Sequence, residues 1–488
     1  MLDDIPRPGL WKRLLMGSLL VVFAAAGATA VAAFEEIDSV VEALELSPEL
    51  KLGKGDLAET DPGKPQTLLI LGSDRRPRQN AEGAAGARSD TIMLVRLNPD
   101  KEAIAVMSLP RDLKVRIPGH GTDKLNAAYQ EGGPRLTLRT VKKLTGLPIN
   151  HVINVSFRGF WRAVNAVGCV YTDIDHDYYN DSAEFAYIDI DAGYQRLCAR
   201  KALQYVRYRH FDTDLVRSAR QQDFLRQAKQ QITTTKLFEQ RGRLLRIFGR
   251  NTSTDAALRS SSEVLRLLKL AVGTADLPIQ EIHFEGQIGS SYVEATDAQV
   301  KRLVQQFLAL EDTAGPRGGV EEKPTRRPRR ERRRRRGPGS LGLYDASGLG
   351  RDQALQAVQA GAGGPLPVLY PTLLLNSSEF ADAPRVYKLM GTDGKRYGAY
   401  RIVMRRTNAN GEYYGLQATT WKDAPILAAP TEVRRIGGRE YELHHAGDRL
   451  RLVAWRTPKA AYWISNTLLQ TLSERQMLAI AKATRRCC

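Results

Sequence analysis

The stretch YVRYRHFDTDLVRSARQQ, residues 205–222, holds four arginines, two aspartates and two glutamines. Planar guanidiniums bind phosphate or carboxylate oxygens two at a time, and a helix starting here would add free N–H groups, so the chemistry on offer is anion recognition. Residues 214–232 have helical spacing. At about 100° per residue, Arg217 and Gln221 fall within about 60° of Asp214. Phe224, Leu225, Ala228 and Ile232 share that arc, so the face is expected to point inward, with Arg220 at its edge. Inward charges need partners or a ligand. A structural ion-pair network and an anion pocket both meet that need. Arg207, Arg209, Arg217 and Arg220 against Asp212 and Asp214 leave excess positive charge, which favours the pocket. Arg207 and Arg209 share a side if their segment is extended.

Three more Asp-Arg pairs repeat the theme at the ends of apolar runs. LGSDRR puts Asp74 and Arg75 after one run, ARSDTIMLV puts Arg88 and Asp90 before the next, and SLPRDLKV puts Arg111 and Asp112 after a third. One such pair alone is most often a surface ion pair worth about 0–1 kcal/mol. Three at strand ends, where open α/β sheets hold ligands, together with an inward helix face, point to a site. Hard carboxylate oxygens suit Mg²⁺ (or Mn²⁺), which accepts substrate phosphates as further ligands, and guanidiniums suit the phosphate oxygens themselves. The set describes a metal-assisted site for a diphosphate.

The elements that must position these residues are legible in outline. TLLILG (67–72), DTIMLVRL (90–97), AIAVMSLP (103–110) and HVINVSF (151–157) read as strands, and 134–146 and 214–232 as helices. A helical section at 236–272 and a strand-helix pair at 281–310 follow. Strands interleaved with helices imply an α/β domain around a mainly buried sheet, placed at 65–315. The aliphatic and aromatic residues of 149–170 suit either core or the wall of an apolar tunnel. Residues 316–340 carry nine arginines between Arg326 and Arg336 and read as a solvated linker, with a surface for anionic lipid or acidic wall polymer as the alternative. Residues 341–488 read as a smaller β-rich or α+β domain with a closing amphipathic helix and no catalytic constellation.

Leu14–Phe34 is a run of 21 residues without a charge, preceded by Arg7, Lys12 and Arg13 and followed by Glu35, Glu36 and Asp38. It is long enough to cross the membrane, and the flanking charges keep 1–13 cytoplasmic and send the rest outside through a connector at 35–64. The small residues near its end also allow a cleaved signal peptide. Either way the bulk is exported, so the formal net charge of +18 points to an anionic membrane face or a phosphorylated substrate and away from nucleic acid. Export also makes a Cys169–Cys198 disulfide plausible against two buried thiols, whereas the adjacent Cys487 and Cys488 have no account.

In their order along the chain, LLILGSDRR, RSDTIMLVRL, SLPRD, KLNAAYQEGG and ALQYVRYRHFDTDLVRSARQQDFL resemble the LytR-CpsA-Psr (LCP) family of wall-polymer ligases over residues 67–235. The resemblance implies an α/β/α sandwich on a membrane anchor. It implies a phosphotransferase that moves a glycopolymer, with its phosphate, from a polyprenyl pyrophosphate to a peptidoglycan hydroxyl. Carried over, Asp74 and Asp90 would be the Mg²⁺ carboxylates, with Asp74 also the base. Arg75, Arg88, Arg111, Arg207, Arg209, Arg217, Arg220 and Gln221 would hold the pyrophosphate, Arg111 and Arg217 acting in catalysis, and Asp214 would orient its neighbours. Thr213 stands where the family commonly has glycine, which leaves Asp212 as a competing carboxylate. Two other readings remain: a hydrolase that cleaves the lipid pyrophosphate with water, and a non-catalytic envelope or regulatory protein that binds anionic polymer through the arginine tract.

Overall fold

Gln66–Ser73 (β1), Ser89–Asn98 (β2) and Ala103–Leu109 (β3) form an antiparallel meander at the centre of the first half of the computed structural model. The structure describes residues 42, 49–53, 55–61, 63–73, 89–182, 187–208, 212–232, 239–260, 262–263, 266–267, 269–270, 274, 277, 279–289, 291–309, 341–409, 411–447 and 449–488. The charge-free run at 14–34 and the arginine tract lie outside them, and among the described residues no helix is long and apolar enough to cross a membrane.

The two-residue period of a strand sends alternate side chains to opposite faces. Leu69 and Leu71 of β1 join Leu94 of β2 and Ala105 and Met107 of β3 on one face, against Leu125, Leu138 and Val141 of helix Leu125–Thr145 (α1). Leu68, Met93 and Val106 occupy the other face, with Leu270. Helix α1 starts well before the expected position because it comprises two helical stretches, broken where Gly133 takes φ +61° ahead of Pro134.

His151–Ser156 (β4) lies parallel to β1 and leads into helix Phe157–Val167 (α2), the hairpin Val170–Ile174 (β5) and Gly193–Leu197 (β6), helix Ala199–Arg207 (α3) and helix Asp214–Gln231 (α4). Cys169 and Cys198 form a disulfide that ties the end of α2 to the start of α3. The helical section expected at 236–272 is interrupted: helix Arg241–Asn251 (α5) gives way to strand Thr252–Thr254 (β7), a β-branched segment that pairs with β4 at the sheet edge. Strand Ile279–Ile282 (β8) and helix Asp297–Ala309 (α6) complete this region, and the sheet order is β7-β4-β1-β2-β3-β8.

The second region is β-rich. After helix Ser347–Gln359 (α7), strands Ser378–Phe380 (β9), Arg385–Met390 (β10), Arg396–Arg406 (β11), Tyr413–Thr419 (β12), Glu432–Ile436 (β13), Arg439–Ala446 (β14), Arg449–Arg456 (β15) and Ala461–Ser465 (β16) build an eight-stranded sheet, closed by helix Glu474–Lys482 (α8). Ser473 and Gln476 cap α8 reciprocally. Alternation again assigns the faces. Tyr400, Ile402, Val453, Trp455 and Ile464 turn toward Met477 and Ile480 of α8, whereas Ala399, Leu452, Ala454 and Trp463 turn toward Tyr171 and Tyr194 of the β5–β6 hairpin. The second face therefore shares a core with the first region, and fully burying Tyr194 and Trp463 contributes about 1.5–3 kcal/mol each.

Candidate active site

The meander explains why distant Asp-Arg pairs meet. Because β1 runs out, β2 back and β3 out, the end of β1, the start of β2 and the end of β3 share one edge, with Ser73 opposite Ser89 and Ile92 opposite Leu109. The parallel neighbour β4 ends there too, with Ser156 beside Ser73. Asp90, the second residue of β2, is the centre of that edge. Its Oδ1 accepts from Arg111 Nη1 at 2.5 Å and its Oδ2 from Arg207 Nη2 at 3.1 Å. Burial alone would raise the Asp90 carboxyl, but Arg217, Arg111 and Arg207 outweigh it and hold the group below its ordinary value.

Helix α4 brings Arg217 and Asp214 to the same place. Thr213 is its N-cap, its hydroxyl accepting from Val216 N at 3.3 Å, so a threonine at this position starts the helix. Asp214 forms a buried pair with Arg217 one turn on, and accepts from the backbone N–H of Asp112 at 3.4 Å. Asp112 in turn meets Lys124 Nζ at 3.3 Å. Gln221 fastens α4 to its neighbours, donating to Thr91 Oγ1 at 3.0 Å and to the Val206 carbonyl at 3.1 Å. Arg207 is the last residue of helix α3, not part of an extended segment, and its guanidinium lies over the Phe157 ring at 4.0 Å. Among the described residues, Arg111, Arg207, Arg217 and Lys124 face Asp90, Asp112 and Asp214: four cations against three carboxylates. The buried Nε donors of Arg111, Arg207 and Arg217 have no hydrogen-bond acceptor there. Such a set favours an added anion, whose oxygens would take the excess donors.

Two expected members sit elsewhere. Arg220 is fully buried beneath Tyr178, Tyr205 and Tyr208, donating to the Tyr208 carbonyl at 2.9 Å and pairing with Asp212. That pair is separate from Asp90, so Asp212 is occupied as a counter-ion. The apolar-stripe argument also misplaces Leu225, which is exposed, because α4 is buried on nearly all sides by polar side chains. Asp74, Arg75, Arg88 and Arg209 lie outside the described residues. Phe157 and Lys124 were not anticipated. Lys124 lies inside the quoted KLNAAYQEGG motif, but nothing in the spacing of Phe157 places it under an arginine from another helix. Within 149–170, Ile149, Val152 and Val170 are fully buried core, whereas Phe157, Phe160 and Trp161 are only half-buried.

A polar crevice lined by Asp173, Asp175, Asp223, Arg451, Ser465 and Gln470 lies between the two regions. Asp173 and Asp223 already face Arg401 and Arg226, and Asp175 meets His176, so it offers less for an anion than the Asp90 edge does.

The profile of the LytR_cpsA_psr family matches residues 29–308. The polyisoprenyl-teichoic acid–peptidoglycan teichoic acid transferase TagT of Bacillus subtilis is 32% identical over 224 residues, 44% of this chain and 68% of that protein. TagU of Oceanobacillus iheyensis, a transferase of the same description, is 30% identical over 246 residues, 48% of this chain and 73% of that one. Among solved structures, TagT bound to LI-WTA is 26% identical, covering 54% of this chain and all of its own, with a TM-score of 0.41. A LytR-CPS2A-psr family protein, YwtF (TagT), with bound octaprenyl pyrophosphate lipid is 23% identical, covering 53% of this chain and 98% of its own, with a TM-score of 0.39.

Proposed function

The chain belongs to the LytR_cpsA_psr family, and on that premise we propose that it is a phosphotransferase attaching a glycopolymer from a polyprenyl-pyrophosphate carrier to peptidoglycan. The observation that carries this is the Asp90 cluster, where three arginines from three elements converge on one carboxylate and retain donors for further oxygens.

In this reading the pyrophosphate of the donor sits at the sheet edge. Arg111, Arg207 and Arg217 neutralise charge on its oxygens, Gln221 and Asp214 fix the arginine-bearing helix, and Arg75 and Arg88 are further proposed phosphate ligands with Asp74 the proposed base. The acceptor hydroxyl oxygen attacks the phosphorus attached to the glycan. The bond from that phosphorus to the bridging oxygen breaks, polyprenyl phosphate leaves, and the hydroxyl proton passes to a carboxylate, proposed to be Asp74. Arginines placed before the reaction stabilise the charge that builds on the leaving phosphate.

Mg²⁺ is the proposed cofactor. Asp90 fits it in kind, being ionised and oxygen-donating, but among the described residues no cluster of three ligating side chains exists, and both Asp90 oxygens are engaged by arginines. Asp74 and Asp90 together are the proposed ligands. When bound, the ion would supply charge neutralisation at phosphate oxygens. Chelation should then depress transfer, with recovery on adding Mg²⁺ or Mn²⁺ and an unchanged melting temperature. Anchoring through 14–34, with the site on the outer face of the membrane, is part of the same proposal.

The test is an assay with a lipid-pyrophosphate-linked sugar and a peptidoglycan acceptor, scoring the new phosphodiester by mass spectrometry. Wild-type activity in the Asp90→Ala, Arg217→Ala double variant would remove the basis of the assignment.

A further inference from the structure

Helices α2 and α5 contain six arginines and no acidic residue. They pack on each other at a close crossing, where a Cβ added to Gly159 would come within 2.8 Å of Asn251 Cβ. On α5, Arg243, Arg246 and Arg250 are exposed and fall within about 60° of one another. Ile247 falls beside them and is only half-buried, whereas Leu244 and Phe248 turn about 100–160° away from them. On α2, Arg158 is exposed, and Arg162 lies with its guanidinium 5.6 Å from the ring of the half-buried Trp161. Among the described residues none of Arg158, Arg162, Arg243, Arg246 and Arg250 forms an ion pair with a carboxylate.

An ordinary solvated face mixes both signs of charge. This one carries a single sign and sets the half-buried Trp161 and Ile247 among its arginines, the pattern of a helix face lying on an anionic lipid surface, with arginine stems along the apolar boundary and head groups at the phosphates. A soluble polyanion would use the arginines but leave the exposed parts of Trp161 and Ile247 without a partner. The surface also begins at the candidate site, since Phe157, the first residue of α2, lies under Arg207.

We propose that the α2–α5 face docks on anionic phospholipid and so sets the candidate site against the membrane. The proposal deepens the transfer reading by fixing which face of the domain meets the bilayer, but its measurement does not depend on turnover.

The full chain is reconstituted in nanodiscs containing a nitroxide-labelled lipid, with a fluorophore at Gly242→Cys on α5 or, as control, at Gly348→Cys on α7. At both glycines an added Cβ meets nothing within 4 Å. Phosphatidylglycerol should quench the α5 label at least about twofold more than phosphatidylcholine, and leave the α7 label unchanged. The triple variant Arg243→Glu, Arg246→Glu, Arg250→Glu should erase the difference. Equal quenching in the two lipids, or at the two positions, overturns docking. So does an α5 label that answers to soluble polyglycerol phosphate and not to lipid, which would make the face a polymer site. Loss of docking with transfer intact leaves the enzymatic proposal standing, and docking without transfer does the reverse.

Discussion

Two arginine-carboxylate clusters, both touching helix α4, are built from the same residue types and serve different ends. At the sheet edge, Asp90 is surrounded by Arg111, Arg207 and Arg217, with Arg207 still about one third exposed and guanidinium donors left over. Between the two regions, Arg226 pairs with Asp223 and Glu281, Arg401 meets Asp173 at 3.2 Å, and Arg451 is buried in the field of all three acids. Arg226, Arg401 and Arg451 there answer Asp173, Asp223 and Glu281, with Asp175 beside them against His176, and Trp463 Nε1 donates to Asp173 at 3.1 Å. A balanced, sealed set holds parts of a protein together, because removing either sign strands the other in a poor solvent for ions. Among the described residues the Asp90 set has one more cation than carboxylate, the imbalance that the proposed pyrophosphate would meet. Residue type does not distinguish the two; the local excess does.

The sharpest way to break this contrast is to remove one arginine from each cluster. Arg217→Ala should lower transfer per folded molecule by about 10³-fold, comparable to the loss of other phosphate-clamping arginines, alongside a stability cost from leaving its buried partner Asp214 unpaired. Arg401→Ala should instead cost about 3–5 kcal/mol in denaturant unfolding, since it leaves Asp173 buried and unpaired, while transfer per folded molecule holds. Exchange of these outcomes would show that the roles are reversed.

A smaller effect probes where the second region touches α4. Gly411 has φ +76°, and an added Cβ would sit 2.9 Å from Asp212 Oδ1, so Gly411→Ala should lower unfolding stability by about 1–3 kcal/mol. Asp212 braces Arg220 and not Asp90, so transfer should stay near wild type. A fall matching that of Arg217→Ala would mean the clusters act as one.

The smallest effect separates them by the sign of their pH dependence. The Asp90 carboxyl is held below its ordinary 3.8, so its contribution to stability is present above that value and disappears as pH falls through the folded one. Burial raises Asp173 despite Arg401 and Trp463, so its contribution is complete below 3.8 and disappears as pH rises through the folded value. Thermal melts taken from mild acid down to below pH 3.8 should therefore show Asp90→Asn losing acid sensitivity and Asp173→Asn losing the opposite slope. Slopes of one sign for both would merge the two environments.

Much of the first region was legible because its signals are local. Apolar β-branched runs fixed β1 to β4, and helical spacing fixed α4, so the ends carrying Asp90, Arg111 and Arg217 were known before their distances. What failed was whatever depended on packing from several sides. The inward arc drawn through Leu225 assumed that α4 buries one face, but the sheet, α3 and the second region enclose it, and its polar residues are buried instead. Arg220 was grouped with the phosphate arginines by spacing, and the carbonyls and rings that absorb it come from α3 and β5 onward. Residues 341–488 read as a β-rich unit of their own, and nothing in the alternation of β11 or β15 says that one face will share a core with Tyr171 and Tyr194.

Sequence alone determined the anionic character of the chemistry, because guanidiniums and carboxylates at strand ends and a helix start announce it by type and order, as does the family to which those motifs belong. Only the tertiary structure decided which of those charges stand in excess. Excess is a property of a neighbourhood, and the neighbourhood of Asp90 is assembled from segments more than a hundred residues apart.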